Sequence, residues 1–267
     1  MMRGALALAR AGWRTGLSYR MRTLLSVGSV LVTVVVAFFV SGALQPTMAA
    51  SIREQGGVYF GFLIMGMVTY SLIGWAVHEL PNALGSGIRT GTVEALFATP
   101  TPLAGILAGL TGSGLLWSLL RNGVLLSAAL VLGMGISWSH AASGAAVLAL
   151  VILAYIPLGL LAGASVLAFR TSGPLPEIFT TGSALLGGVY YPTHVIPSWI
   201  QHLSSVVPLT YGLRALRETL LEGRSLYAVR GDLLVLVGFL VVLSLVGVAA
   251  FAAAYRYARR SGTLAQY

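Results

Sequence analysis

Few side chains in this chain of 267 residues are suited to chemistry, and they do not form a catalytic cluster. None of the four histidines has an HExxH or other metal-ligand spacing. His194 and His202 are eight residues apart, which favours two solvated side chains over a pair of metal ligands. His78 and Glu79 end an apolar run, where they could relay protons or, as we favour, form ion pairs at a membrane interface. We expect no catalytic residue and no metal site.

Arg121 interrupts a long apolar run between residues 103 and 134. An arginine in the middle of a bilayer costs at least about 2.5 to 3.5 kcal/mol unless it faces a cavity or a partner. Arg121 could therefore line a translocation path or a dimer seam and meet an anionic group of a substrate. In the alternative, the span begins later and Arg121 snorkels near the inner surface.

Lysine and cysteine are both absent, so all 16 basic residues are arginines. A P-loop needs a lysine that reaches the nucleotide phosphates. The chain therefore cannot hydrolyse ATP by that route, and any ATP-driven role requires a partner chain. The lack of cysteine excludes a thiolate nucleophile, a disulfide framework and a cysteine-type metal site.

The composition indicates an all-α polytopic membrane protein, since 57% of the residues are hydrophobic and 9% are charged. Several apolar runs approach the roughly 20 residues that cross a bilayer as a helix. We expect residues 1–267 to form a single transmembrane domain without a soluble domain. The six predicted spans are 24–43, 58–77, 103–134, 145–168, 178–189 with its flanks, and 233–255.

The arginines predict the orientation, and the net charge of +9 indicates topology, not a nucleic-acid partner. Ten arginines fall on the side of the N-terminus and five on the other side. The five on the other side are Arg53, Arg214, Arg217, Arg224 and Arg230. Because basic residues favour the cytoplasmic side, we expect a multi-pass plasma-membrane protein with both termini in the cytoplasm.

The first 22 residues are basic and carry an apolar stripe of Leu6, Ala9, Trp13 and Leu17 at helical spacing. This pattern favours an amphipathic helix at the cytoplasmic interface over a disordered basic leader. It also resembles the start of a signal peptide, with residues 41–43 as a cleavage site. The following apolar run exceeds the usual length of about 7 to 15 residues, which favours a retained anchor.

The predicted cytoplasmic connection, residues 78–102, contains a short helix of its own. Three glycines up to Gly91 are expected to end the preceding helix, and Thr92 can cap a new one whose first turn holds Glu94. This helix, residues 93–98, presents Leu96 and Phe97. The two apolar side chains could dock into a groove of a partner or bury against the membrane surface, and the spacing allows both.

The predicted outer segment, residues 190–231, is punctuated by prolines and rich in aromatic residues that favour the membrane interface. Those residues are Tyr190, Tyr191, Pro192, Pro197, Trp199, Pro208 and Tyr211. Prolines discourage helix in the preceding residue, so we expect short broken helices that dip into or lie along the outer face. After Pro208, leucines 213, 216 and 220 share one side, and Arg214 is expected to face Glu218 four residues later.

These two stretches carry a family resemblance. GTVEALFATP in the first, with GGVYYP, IPSW and PLTYGLRALRE in the second, resembles the permease subunit of type-2 ABC exporters, a family that includes drug, Nod-factor, teichoic acid and O-antigen export permeases. The resemblance implies a coupling helix that inserts into a separate ATPase subunit, which binds the ATP and Mg²⁺. The residues concerned would be Gly91, Thr92, Glu94, Leu96, Phe97 and Pro100. It also implies re-entrant helices between Tyr190 and Tyr211, and a dimer with a second permease copy or a paralogue.

The expected function is export of an amphipathic drug or lipid-like substrate by alternating access, driven by ATP hydrolysed on another chain. An exporter of lipid-linked polysaccharide is the alternative within the family. A stand-alone secondary transporter or channel should show intramembrane acidic residues or inverted repeats, and the sequence shows neither. A membrane-embedded enzyme would need a convergent group of histidines or carboxylates.

Overall fold

The computed structural model describes residues 20–92, 96, 99, 102–171 and 173–260. Within those ranges every regular element is helical, which confirms the all-α prediction. The α-helices are α1 Arg20–Met48, α2 Tyr59–Arg89, α3 Leu103–Val131, α4 Ala141–Phe169, α5 Leu175–Leu186, α6 Ser198–Ser204, α7 Pro208–Leu220 and α8 Arg230–Arg260. Single 3₁₀ turns lie at Arg53–Gln55, Trp138–His140 and Thr193–Val195. The predicted interfacial helix, residues 1–22, lies outside the described residues except for its last three.

Five helices in the described part of the chain are long and apolar enough to cross a membrane. They cover Leu24–Met48, Tyr59–Arg89, Leu103–Val131, Trp138–Phe169 and Arg230–Ala258, close to five of the six predicted spans. The remaining predicted span, 178–189, coincides with α5, which has 12 residues. A helix of that length covers about 18 Å, well short of the roughly 30 Å hydrocarbon core. The count of six crossings is therefore not confirmed.

Helix α2 is the centre of the bundle and packs against α1, α3, α4, α5 and α7. Its side chains Ile64, Leu72 and Ile73 are almost completely buried. Helix α4 approaches α2 so closely that a Cβ atom at Gly159 would collide with the Ala76 carbonyl oxygen. Most of the large apolar side chains on α1 and α8 are exposed, as expected of surfaces that face lipid or another subunit.

Helix α2 extends further than expected. The prediction that Gly85 and Gly87 break it is wrong, since the helix continues through both glycines to Arg89 and ends just before Gly91. Each glycine costs about 1 kcal/mol in a helix interior, and tertiary packing offsets this cost. Leu80 and Leu84 of this turn are buried against Gly163 of α4. The turn after α2 uses Gly91, whose φ of 70° is accessible to glycine at little cost.

Two names are used below for the ends of the bundle, following the predicted orientation. The outer end holds residues 49–58, 132–140 and 221–229, together with the segment 187–220 that packs against them. The inner end holds the connections 90–102 and 170–174.

Candidate functional site

Helices α6 and α7 form the most elaborate part of the outer end, and prolines set their boundaries. Helix α6 follows Pro197, and α7 begins at Pro208, where the missing N–H is harmless because the first helical turn has no acceptor for it. Helix α7 runs antiparallel to α4: its Gly212 lies against Val151, and its Leu220 lies against Gly144. The predicted broken helices are thus present, and α7 is packed inside the bundle.

Arg217 is the central side chain of this assembly, with only 2% of its surface exposed. Its guanidinium donates five hydrogen bonds. Nε and Nη2 donate to the Phe62 carbonyl oxygen at 3.2 and 3.0 Å. Nη2 also donates to the Val189 carbonyl at 3.2 Å, and Nη1 donates to the Gly188 carbonyl at 3.0 Å and to Gln55 Oε1 at 3.2 Å. All five N–H groups of the side chain are therefore used.

The acceptors of Arg217 are carbonyl oxygens of the backbone or of an amide, so its charge is balanced by dipoles and not by a carboxylate. The ring of Phe62 adds a cation–π contact, with 3.4 Å between Cζ and the ring centroid. Through these contacts Arg217 joins α7 to α2, to the turn after α5 and to residues 49–58, which form the first outer loop. A buried cation held in this way fixes the position of α7 relative to these three segments.

The sequence analysis placed Arg217 among the outer arginines and did not predict its burial. The signal for its burial was present, because Arg217 lies four residues after Leu213 and eight after Leu209. Residues at that spacing share one helix face, and both leucines are almost fully buried.

Arg214 does not pair with Glu218 as expected. It donates instead to both carboxylate oxygens of Asp232, at 2.6 and 2.8 Å. Asp232 is in the first turn of α8, and a bidentate pair with arginine is stronger than a single contact along one helix. Glu218 pairs with Arg224 at 3.1 Å. Burial raises the pKa of the Glu218 carboxyl, while the charge of Arg224 opposes the rise.

The aromatic residues of the outer segment differ in what they contact. The hydroxyls of Tyr191 and Tyr211 each donate to a backbone carbonyl six residues earlier, at 2.7 and 3.0 Å. The Tyr190 carbonyl accepts a hydrogen bond of 2.7 Å from the hydroxyl of Tyr59. Trp199 is 68% exposed. The tyrosines therefore help to hold the segment together, and Trp199 is free to meet a membrane interface.

The predicted coupling residues are only partly described. Gly91 and Thr92 follow α2 and are exposed, and the Thr92 hydroxyl donates to the Gly87 carbonyl at 3.3 Å. Leu96 is helical and half-buried, and its carbonyl accepts a hydrogen bond of 2.7 Å from the Thr99 hydroxyl. The other three predicted residues, Glu94, Phe97 and Pro100, lie outside the described residues.

Arg121 lies on the exposed side of α3, ten residues before the helix ends at Val131. Ten residues correspond to about 15 Å along the axis, or half of the hydrocarbon thickness. If the membrane span began near Arg121 at the inner surface, only ten helical residues would remain to cross the bilayer. The bounds of α3 therefore do not fit that alternative. Its neighbour Asn122 is buried and donates to the hydroxyl of Ser71 on α2 at 3.1 Å. The exposed arginine thus stands beside a polar contact that fixes the rotation of α3 against α2.

His78 lies at an interhelical polar contact between α2 and α5. Its Nε2 atom is 3.2 Å from the Thr180 hydroxyl oxygen and 3.9 Å from a carboxylate oxygen of Glu177. Within the described ranges, no three His, Cys, Asp or Glu side chains come together as a metal site would require. His78 thus lies beside Glu177 on α5, and the two side chains form an ion pair when the imidazole is protonated.

Comparison with known proteins identifies a family. The model of the ABC-2 type transporter family matches residues 6–221 of the chain. The inner membrane transport permease YadH of Escherichia coli K12 is 25% identical over 70% of this chain and 72% of its own length. The linearmycin resistance permease protein LnrN of Bacillus subtilis 168 is 22% identical over 73% of this chain. That match covers 48% of LnrN, about half of its length.

Proposed function

Because the chain belongs to the ABC-2 type transporter family, we propose that it is the transmembrane subunit of an ATP-driven exporter of an amphipathic drug-like or lipid-like substrate. The observation that carries the proposal is the family match over residues 6–221, which spans most of the membrane-crossing helices. The name of LnrN ties one relative to drug resistance, which favours a drug-like substrate over a polysaccharide. The inner-membrane name of YadH and the five long apolar helices of this chain support a multi-pass membrane protein.

In this proposal the two ends of the bundle have different tasks. The inner connection after α2 carries the coupling helix, residues 93–98, which docks into a separate ATPase subunit that holds ATP and Mg²⁺. Leu96 and Phe97 would supply its apolar contacts. At the outer end, α6 and α7 act as re-entrant helices that cap the translocation path. The support for this role is that Gly212 of α7 lies against Val151, ten residues into α4, which is about 15 Å along the axis of α4.

A second permease copy or a paralogue completes the path. Helices α1, α3 and α8 expose contiguous apolar faces and not single scattered apolar residues. We assign these faces to contacts with lipid and with the second copy. Arg121, exposed on α3, would face the path or the seam between the copies, since facing hydrocarbon would be costly.

Reconstitution tests the division of labour between permease and ATPase. The purified chain alone in nanodiscs should show no nucleotide binding and no ATP hydrolysis, since it has no lysine for a P-loop. With its cognate ATPase subunit, inverted vesicles should accumulate an amphipathic dye or drug when ATP is added. The matched control is an ATPase subunit whose Walker lysine is replaced. ATP binding by the permease alone, or uptake with the control subunit, would contradict the proposal.

Cysteine labelling tests the orientation, because the chain has no native cysteine. Single cysteines at Ser51, Ser86, Ser225 and Ser261 are treated on intact cells with an impermeant thiol reagent. Ser51 and Ser225 should be labelled, whereas Ser86 and Ser261 should react only after permeabilisation. Labelling of Ser86 from outside would overturn both the topology and the coupling role of the inner connection.

A further inference from the structure

A cavity of about 660 Å³ opens at the outer end between three segments that Arg217 holds together. Its walls are the first outer loop, Ala50–Gln55, the turn Gly187–His194 and one face of α7. This volume lies within the range of about 300 to 1,000 Å³ that is typical of small-molecule sites. The cavity is therefore large enough to hold the polar part of a ligand.

The charges around this cavity do not cancel. Three arginines line it, Arg53, Arg214 and Arg217, together with a single carboxylate, Glu54. Arg214 is neutralised by its bidentate pair with Asp232. The charge of Glu54 offsets one of the remaining two, which leaves one positive charge in surplus. Since Arg217 is buried and balanced only by dipoles, its field is weakly screened by water and favours an anion in the cavity.

Arg217 cannot itself bind the anion, because all of its N–H groups are used. The direct ligands must come from the rim. Arg53 and His194 are exposed and lie on different walls, one on the first outer loop and one on the turn after α5. Thr193 adds a hydroxyl beside His194. An anion held by both walls would connect two segments that are far apart in sequence.

We propose that this outer cavity binds an anionic group of the phosphate or carboxylate type, with Arg53 and His194 as direct ligands and Arg217 as the buried charge that selects for anions. Arginine suits this task because its planar fork matches the oxygens of both groups. The group could belong to a lipid headgroup or to a soluble anion. The proposal goes beyond the export function and is measured on the permease alone, so failure of either leaves the other standing.

Two arms of one experiment separate the two sources. In the first, the purified full-length chain in neutral detergent is titrated with inorganic phosphate by calorimetry. In the second, its unfolding temperature is measured in phosphatidylcholine nanodiscs with increasing phosphatidylglycerol, because a ligand that binds the native state raises that temperature. Binding in the first arm indicates a soluble anion, and stabilisation only in the second indicates a headgroup. Either result supports the site.

Three variants assign the binding to the cavity. Arg53→Gln should weaken it roughly fivefold or more, since it removes a charge-assisted hydrogen bond. The adjacent Glu54→Gln should strengthen it, because it removes the opposing charge. Arg230→Gln is the matched control: Arg230 is exposed, lies over the Tyr227 ring and does not line the cavity, so binding should not change. Equal weakening by Arg53→Gln and Arg230→Gln, or no binding in either arm, would overturn the proposal.

Discussion

The outer end and the inner connection of this protein are held by different kinds of contact. At the outer end, Arg217 reaches residues up to 162 positions away, and the Gly56 amide donates to a carboxylate oxygen of Glu222 at 3.1 Å. Between residues 83 and 99, at the inner connection, side-chain hydrogen bonds of the described residues join positions at most five apart, as from Thr92 to Gly87. The outer end is therefore specified by its own chain. The inner connection is where the proposed function places the contact with an ATPase subunit.

The largest effect should come from removing the outer cation. Arg217→Met replaces the guanidinium by an apolar side chain and leaves the carbonyls of Phe62, Gly188 and Val189 without their donor. Each buried acceptor that loses its partner costs about 1 to 3 kcal/mol, partly offset by no longer burying a charge. We expect the free energy of unfolding to fall by about 2 to 4 kcal/mol. Thermal or denaturant unfolding in detergent measures this change.

Arg214→Met is the matched control, since it removes an arginine from the same helix. Its ion pair with Asp232 is partly exposed, so solvent screening limits the loss to about 1 kcal/mol or less. If Arg214→Met destabilised the protein as much as Arg217→Met, the claim that the buried Arg217 stabilises the outer end more than an exposed arginine would be wrong.

Local sequence signals were enough to predict most of the helices. Apolar runs predicted five of the membrane-crossing helices, and the prolines predicted where α7 begins. Two of the failures involve contacts between distant segments. Nothing near Gly85 or Gly87 shows that packing of Leu80 and Leu84 against α4 keeps that turn helical. The pairing of Arg214 with Asp232 likewise depends on the position of α8, which periodicity within α7 cannot reveal.

A smaller loss of stability should follow from a substitution on α2 that crowds the contact between Arg217 and the Val189 carbonyl. A Cβ atom at Gly66 would collide with the Val189 carbonyl and lie 3.0 Å from Arg217 Nη2. Gly66→Ala should therefore destabilise by about 1 to 3 kcal/mol, the usual cost of overpacking. Gly74→Ala is the control on the same helix, because its Cβ meets no heavy atom within 4 Å. That variant should be neutral or slightly stabilising, as alanine has the higher helix propensity. Equal unfolding midpoints for both variants would show that the approach of α2 to the outer turn is not tight.

Arg121 should show almost no effect on stability and a large effect on transport. Its side chain is exposed on α3, so Arg121→Ala removes no buried contact. If it faces the path or the seam between two copies, ATP-driven export should fall while the amount of membrane protein stays constant. Leu120→Ala, on the same exposed side, serves as the control and should leave export unchanged. Normal export by the Arg121→Ala variant would show that Arg121 does not line the translocation path or the seam between the copies.

The central claim, that the inner connection docks an ATPase subunit, is tested most directly by Phe97→Asp. A charge placed in an apolar groove costs several kcal/mol at a buried interface. The account predicts that the permease still reaches the membrane and unfolds at the same temperature, while co-purification of the ATPase subunit and substrate-stimulated ATP hydrolysis are lost. Glu94→Ala should weaken assembly only mildly, by about 0.3 to 1 kcal/mol, the contribution of a carboxylate at a helix N-terminus. Intact co-purification and intact stimulated hydrolysis in Phe97→Asp would contradict the account.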